Sequence, residues 1–156
     1  MPLEVERSRT YPVEPERAYD VLLTTPLTEL FTRRYAALPP IRAVRDQAGE
    51  WGRGVGQSRT IVLGDGGTMR ETLTSLDRPN SFGYRIDGIT GLMRMIVTDV
   101  AGTWRLAPAG TGVQVTWAWT VDPHGTLGRV AMPGFERMWQ GYARQALEQL
   151  DGILLR

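Results

Sequence analysis

The C-terminal stretch constrains the fold of this chain most strongly, because residues 134–156 have the pattern of one long amphipathic helix. Apolar side chains recur there at intervals of three and four, the period of an α-helix with one dry face. These apolar positions are Phe135, Met138, Trp139, Tyr142, Ala146, Leu150, Ile153 and Leu154. A helix of this length needs a partner surface against which to bury its stripe. The rest of the chain is expected to supply that surface.

Period-two alternation dominates the middle of the chain and predicts β-strands. It is clearest in residues 113–122, where valine and tryptophan alternate with polar or small residues. The predicted strands are residues 3–13, 41–46, 55–63, 68–77, 81–89, 96–109 and 113–122. Short turns between them, such as the Gly-Asp-Gly-Gly run at 64–67, favour antiparallel pairing of successive strands.

Two short helices are predicted between the first strand and the second. Residues 15–23 begin with a proline, which suits the first turn of a helix. Thr25-Pro26 ends that helix, and residues 27–38 form the second. The order of elements predicts an α+β fold in which a curved seven-stranded antiparallel sheet wraps around the C-terminal helix. We expect a single domain over residues 1–156.

Composition excludes several classes of function. The chain has no cysteine and no lysine, so cysteine-based zinc sites and lysine Schiff bases are ruled out. His124 is the single histidine, and no basic block suggests nucleic acid as a partner. We expect neither metal nor cofactor. No apolar run reaches the roughly 18 residues of a membrane span, and there is no signal-peptide core. We therefore expect a cytoplasmic protein without stable membrane insertion. It is expected to be a monomer or a homodimer.

Three segments resemble those of a known superfamily. Residues 102–123 (GTWRLAPAGTGVQVTWAWTVDP) look like its penultimate hairpin, residues 70–86 like its Glu-containing strand with the turn and strand that follow, and residues 13–23 like its opening helix. The chain thus resembles the START/Bet v 1-like (SRPBCC) superfamily, most closely the bacterial polyketide cyclase/dehydrase and lipid-transport proteins. The resemblance implies a helix-grip fold with a cavity between the sheet and the first half of the last helix.

Strand alternation indicates which side chains would face that cavity. Aromatic walls with few polar groups suit a mostly apolar ligand in a pocket of roughly 300–1,000 Å³. The second half of the helix, from Ala146 to Leu154, is expected to pack in the core instead. The predicted ligand-binding residues are Glu71, Leu73, Phe82, Tyr84, Ile86, Thr98, Val100, Trp104, Val115, Trp117, Trp119, Phe135, Met138, Trp139 and Tyr142.

Glu71 is the most informative of these residues, because alternation places its carboxylate on the interior face. It could act as an acid/base, anchor a polar group of a ligand, or form an ion pair with Arg59, Arg7 or Arg9. Tyr84 and Tyr142 are further candidates for proton transfer.

His124 and the apolar residues of the segment 92–95 each have two interpretations. His124 could be an acid/base at the cavity mouth or a solvated turn residue. Leu92, Met93 and Met95 could form a mobile apolar lip or pack ordinarily. Pro133-Gly134 predicts a break or kink that leaves residues 125–132 as a separate flap near the entrance.

These observations favour a protein that binds or carries a hydrophobic small molecule such as a lipid, polyketide or isoprenoid. The alternative is a polyketide cyclase or dehydratase that uses the same cavity without metal or covalent nucleophile. A third hypothesis is a chaperone-related or ribosome-associated interaction protein, which the superfamily also contains.

Overall fold

A computed structural model describes residues 2–156; Met1 of the predicted domain lies outside the described residues. The chain begins with β1 (Leu3–Tyr11), α1 (Pro15–Thr24) and α2 (Leu27–Leu30) and ends in α3 (Gly125–Leu154). The strands between them are β2 (Ile41–Arg45), β3 (Ser58–Leu63), β4 (Thr68–Asp77), β5 (Ser81–Asp87), β6 (Val97–Ala109) and β7 (Gly112–Pro123).

The strands form one antiparallel sheet in the order β1-β7-β6-β5-β4-β3-β2. Successive strands from β2 to β7 are neighbours, as their short connections require. β1 pairs with β7, so α1 and α2 carry the chain from one edge of the sheet to the other. The sheet is open, and α3 packs along it. The predicted α+β helix-grip fold is confirmed.

The second half of α3 is fixed in the core by apolar packing and two side-chain hydrogen bonds. Tyr11 donates its hydroxyl proton to the carbonyl of Leu147 at 2.6 Å, and Arg17 donates to the carbonyl of Leu154 at 2.8 Å. The helix side chains buried there are Ala146, Leu147, Leu150, Ile153 and Leu154.

The predicted break at Pro133-Gly134, with residues 125–132 as a separate flap, is wrong, because α3 runs without interruption from Gly125 to Leu154. Packing explains this continuity. The N–H of His124 donates to the carbonyl of Ile96 at 2.8 Å. Gly128 lies so close to that carbonyl that an added Cβ would be 2.5 Å from its oxygen. Contacts with the sheet thus hold the first turns in helical register, although Pro133 lacks the N–H of a regular helical residue.

The predicted helix over residues 27–38 is wrong beyond Leu30. Phe31 leaves the helical region of backbone conformation, with φ −107° and ψ 69°. Its carbonyl accepts the N–H of Ile41 at 2.9 Å, and Tyr35 pairs with Leu38 in an isolated antiparallel bridge. Pairing of this segment with the start of β2 therefore replaces the remaining helical turns.

A β-bulge near the start of β6 changes which residues face inward. The register with β7 shifts between Val97 and Asp99. Val97 is buried, whereas Thr98 is exposed. The predicted inward orientation of Thr98 is wrong, because the bulge inserts an extra residue and reverses the alternation.

Candidate functional site

A largely apolar cavity of about 70 Å³ lies between the sheet, the α1–α2 segment and the first half of α3. It is far smaller than the predicted 300–1,000 Å³. Aromatic side chains occupy the space: the Phe31 ring lies 5.4 Å from that of Tyr142 and 5.2 Å from that of Trp117, centroid to centroid. The cavity has room for a few water molecules or a very small organic molecule.

The structure places many, but not all, of the predicted ligand-binding residues at this cavity. Those that line it are Glu71, Phe82, Tyr84, Ile86, Trp104, Trp117, Trp119, Trp139 and Tyr142. The others lie elsewhere. Leu73, Val100 and Val115 are buried core residues, Phe135 is buried with its ring stacked on Trp119, Met138 is half-buried and Thr98 is exposed.

Sequence reasoning missed the walls contributed by the α1–α2 segment and by the far end of the sheet. These additional lining residues are Leu22, Leu23, Leu27, Leu30, Phe31, Leu38, Pro39, Ile41, Trp51, Arg59, Ile61, Leu63 and Met69. Alternation could have found part of this set, because Arg59, Ile61 and Leu63 share a strand face. No local pattern marks Trp51, which lies in the loop between β2 and β3.

Tyr84 has the most specific polar environment in the cavity wall. Its hydroxyl oxygen accepts the indole N–H groups of Trp117 at 2.7 Å and of Trp119 at 2.8 Å. The two tryptophans share a face of β7 because they are two residues apart. Gly102, which pairs with both Tyr84 and Trp119, leaves room for the tyrosine ring, since an added Cβ would lie 2.1 Å from its Cζ.

The Tyr84 hydroxyl keeps its proton near neutral pH. Burial raises the pKa of this phenol above its ordinary value, and the nearby charge of Glu71 raises it further. The two indole hydrogen bonds act in the opposite direction without overcoming burial. The hydroxyl is therefore a hydrogen-bond donor at the cavity wall.

Glu71 is paired with Arg59, one of the three arginines that the sequence left open as its partner. Nε of Arg59 donates to Oε1 of Glu71 at 2.6 Å, and both side chains are buried. Burial raises the pKa of the Glu71 carboxyl, while the charge and hydrogen bond of Arg59 lower it. The guanidinium also stacks on the indole of Trp51, 3.8 Å from its centroid. Arg7 and Arg9 make their side-chain contacts with Gln140 and Asp151 instead.

The remaining candidates for proton transfer are less suitably placed. The Tyr142 hydroxyl donates to the carbonyl of Pro39 at 2.8 Å, and burial raises its pKa. His124 is exposed, 3.4 Å from the hydroxyl of Thr98, and does not line the cavity. Of the predicted lip, Met93 lines the cavity, whereas Leu92 and Met95 are exposed.

A surface cleft of about 580 Å³ adjoins the cavity. It runs between the α1–α2 junction and the β2–β3 loop. Leu27, Trp51 and Arg59 line both spaces. Gln57 fixes the loop, since its amide oxygen accepts the N–H groups of Gly52 and Arg53 at 2.9 and 3.0 Å. The stacked Trp51 and Arg59 side chains thus form part of the partition between cleft and cavity.

Comparison with known proteins identifies the family. The sequence model described as "Polyketide cyclase / dehydrase and lipid transport" matches residues 2–153. The chain belongs to that family. Among curated proteins, none matches this chain significantly.

Solved structures of Bet v 1-like proteins share the fold of this family member. Ara h 8.0201 is 18% identical and aligns over 99% of both chains with a TM-score of 0.71. Ginseng major latex-like protein 151 from Panax ginseng is 11% identical, with 100% of this chain and 99% of that chain aligned and a TM-score of 0.74. TTHA0849 from Thermus thermophilus is 20% identical, with 98% and 97% aligned and a TM-score of 0.71. At these identities the likeness concerns the fold alone.

This family and its fold are typical of proteins that bind hydrophobic ligands. Within residues 2–156, none of the helices combines the length and apolar character needed to cross a bilayer.

Proposed function

We propose that this family member binds a hydrophobic small molecule in the cavity between the sheet and the first half of α3. The observation that carries the proposal is an interior space with walls made of aliphatic and aromatic side chains, whose two charged residues, Arg59 and Glu71, neutralise each other. Ligand sites are typically apolar, with a few placed polar groups. The predicted ligand-binding residues that line the cavity are proposed to contact the ligand.

A lipid-sized ligand requires the cavity to enlarge. We place that enlargement at the partition formed by Trp51 and Arg59, because a far larger cleft lies on its other side. Rotation of the Trp51 side chain out of the partition would join the two spaces. The ligand would then enter from the cleft with its apolar part directed to Trp117 and Trp139.

The experiment is a search for the ligand and for stabilisation by it. Native mass spectrometry and organic extraction of the purified protein are expected to yield a bound apolar molecule. A panel of fatty acids, isoprenoids and aromatic compounds is expected to raise the melting temperature, since a ligand that binds only the folded state stabilises it. An empty protein that no member of the panel stabilises would contradict the proposal.

A polyketide cyclase or dehydratase is the second candidate function. One observation favours it: the Tyr84 hydroxyl is a buried donor in the cavity wall and could polarise a substrate carbonyl. Glu71 is a weaker candidate, since Arg59 occupies its carboxylate. Turnover of a polyketide-like substrate that Tyr84→Phe abolishes and Tyr142→Phe preserves would support the enzyme. No observation favours the interaction-protein hypothesis. The cytoplasmic location of the protein stays a prediction, which cell fractionation can check.

A further inference from the structure

The Tyr84 hydroxyl accepts hydrogen bonds within the described chain but donates none. Its oxygen accepts two indole N–H groups, from Trp117 and Trp119. Two such donors saturate a phenolic oxygen as an acceptor. The hydroxyl proton has no acceptor among residues 2–156, so Tyr84 is oriented as a donor without a partner.

A second donor in the same wall is also without a partner. Trp139 lines the cavity, and its indole N–H is buried and forms no hydrogen bond within the described chain. Buried polar groups are rarely left in this state, and each one calls for an explanation. Tyr142 offers a contrast, because it lines the same cavity and its hydroxyl donates to the carbonyl of Pro39. The cavity wall thus has more donors than acceptors.

The charge at the cavity wall is balanced. Arg59 and Glu71 are paired at 2.6 Å, so the wall presents no net positive charge to a ligand. An ionised carboxylate buried there would lose its hydration without gaining a counter-ion, which is costly. A neutral acceptor, such as a ketone oxygen, accepts a hydrogen bond from a phenol without that cost.

We propose that the cavity selects ligands that carry a neutral carbonyl group, with the Tyr84 hydroxyl donating a hydrogen bond to the carbonyl oxygen. The inference rests on the proposed binding function and specifies the chemical class of its ligand. The indole hydrogen bonds from Trp117 and Trp119 hold the hydroxyl in place and polarise it, which strengthens its donation. Gly102 acts as a positioning residue, because its missing Cβ gives the Tyr84 ring its space.

The test uses three probes that differ mainly in one group: 1-indanone, the hydrocarbon indane, and indane-2-carboxylate. Calorimetry and quenching of tryptophan fluorescence report affinity for the purified protein. We expect 1-indanone to bind about tenfold more tightly than indane, the ratio that a net hydrogen-bond contribution of about 1.4 kcal/mol gives. Indane-2-carboxylate is expected to bind more weakly than 1-indanone.

Two hydroxyl deletions separate the role of Tyr84 from general effects on the cavity. Tyr84→Phe is expected to abolish the preference for 1-indanone over indane. Because the change also removes the acceptor of two indole N–H groups, the ratio of the two affinities is compared rather than either affinity alone. Tyr19→Phe is the matched control, since Tyr19 packs on Phe82 of the cavity wall without lining the cavity itself, and its hydroxyl donates to the carbonyl of Ser81. It is expected to retain the preference.

A measurement on the unmodified protein covers the case in which Tyr84→Phe does not fold. The carbonyl stretching frequency of bound 1-indanone is expected to lie below its value in hexane, because a hydrogen bond weakens the C=O bond. A frequency equal to that in hexane, or equal affinities for ketone and hydrocarbon, would overturn the inference while leaving hydrophobic binding intact. A protein that binds neither these probes nor any apolar compound would overturn both proposals.

Discussion

At the scale of single residues, the buried pair of Arg59 and Glu71 is the main electrostatic feature of the cavity wall. Arg59 lowers the pKa of a carboxyl that burial raises. The intact pair therefore adds little net stability. Removing one partner is costly, because the other charge then stays buried without a counter-charge.

Arg59→Met is expected to lower the free energy of unfolding at pH 7 by about 3–5 kcal/mol, because it leaves a buried carboxylate without a counter-charge. The loss depends on pH. Without Arg59 the pKa of Glu71 rises further above its unfolded value, so the variant gains protons on folding. Stability is then fully present below about pH 4 and is lost as the pH rises through the folded-state pKa. Urea unfolding at several pH values measures this.

The double variant Arg59→Met/Glu71→Leu is the control. It removes both charges and is expected to recover most of the stability and to lose the added pH dependence. A single variant that is as stable as the original protein at every pH would contradict this account of the pair.

Gly102→Ala is expected to destabilise the protein by about 1–3 kcal/mol through overpacking. The new Cβ would lie 2.1 Å from Cζ of Tyr84, so the ring must move away from Trp117 and Trp119. The tryptophan emission spectrum should change as the indole hydrogen bonds are lost. Unchanged emission together with unchanged stability would show that the Tyr84 ring accommodates the new Cβ without losing its indole hydrogen bonds, which would contradict the prediction.

At the scale of elements, the glycines of α3 differ in their surroundings. Some lie in close contact with another segment of the chain, and others have no neighbour. An added Cβ at Gly141 would lie 2.0 Å from Cζ of Tyr35, whereas at Gly134 it would meet no atom within 4 Å. The two positions lie in the same continuous helix. They therefore separate helix propensity from packing.

Gly134→Ala is expected to raise the free energy of unfolding by about 0.5–1 kcal/mol, the difference in helix propensity between the two residues. Gly141→Ala is expected to lower it by about 1–3 kcal/mol, because Tyr35 must be displaced. Thermal and urea unfolding of the two variants measure the contrast. A stabilising Gly141→Ala would mean that the Tyr35 segment does not pack on α3.

At the scale of the whole molecule, two spaces of very different size meet at one partition. The cavity holds about 70 Å³ and the adjoining cleft about 580 Å³. A binding protein built in this way is expected to exchange ligand at a rate set by the partition. Trp51 is the residue to change, because it lines both spaces and stacks on Arg59.

Trp51→Val is expected to raise the association rate constant of an apolar probe by about tenfold, within the range by which such constants vary among variants of one site. Stopped-flow fluorescence with the uncharged probe N-phenyl-1-naphthylamine measures it. Val55→Ala is the control, since this exposed residue of the same loop lines neither space. Equal rates for the Trp51 variant and the original protein would place the entrance elsewhere.

Sequence patterns were sufficient to predict the fold and the inward face of most strands. Period-two alternation, short turns and one amphipathic stripe leave few arrangements other than a sheet wrapped around a helix. The same alternation placed Glu71, Tyr84 and Trp117 in the interior, where the structure has them.

Features that depend on contacts between distant segments could not be predicted from local patterns. The bulge that turns Thr98 outward, the continuity of α3 through Pro133 and the short α2 each result from packing or pairing that overrides a local preference. The size of the cavity depends on how Phe31 and Tyr142 fill it. The Tyr84 hydroxyl is left with an unpaired proton because its oxygen accepts the indole N–H groups of two tryptophans more than thirty residues away along the chain. Local periodicity records which way a side chain points, whereas three-dimensional packing determines what it meets there.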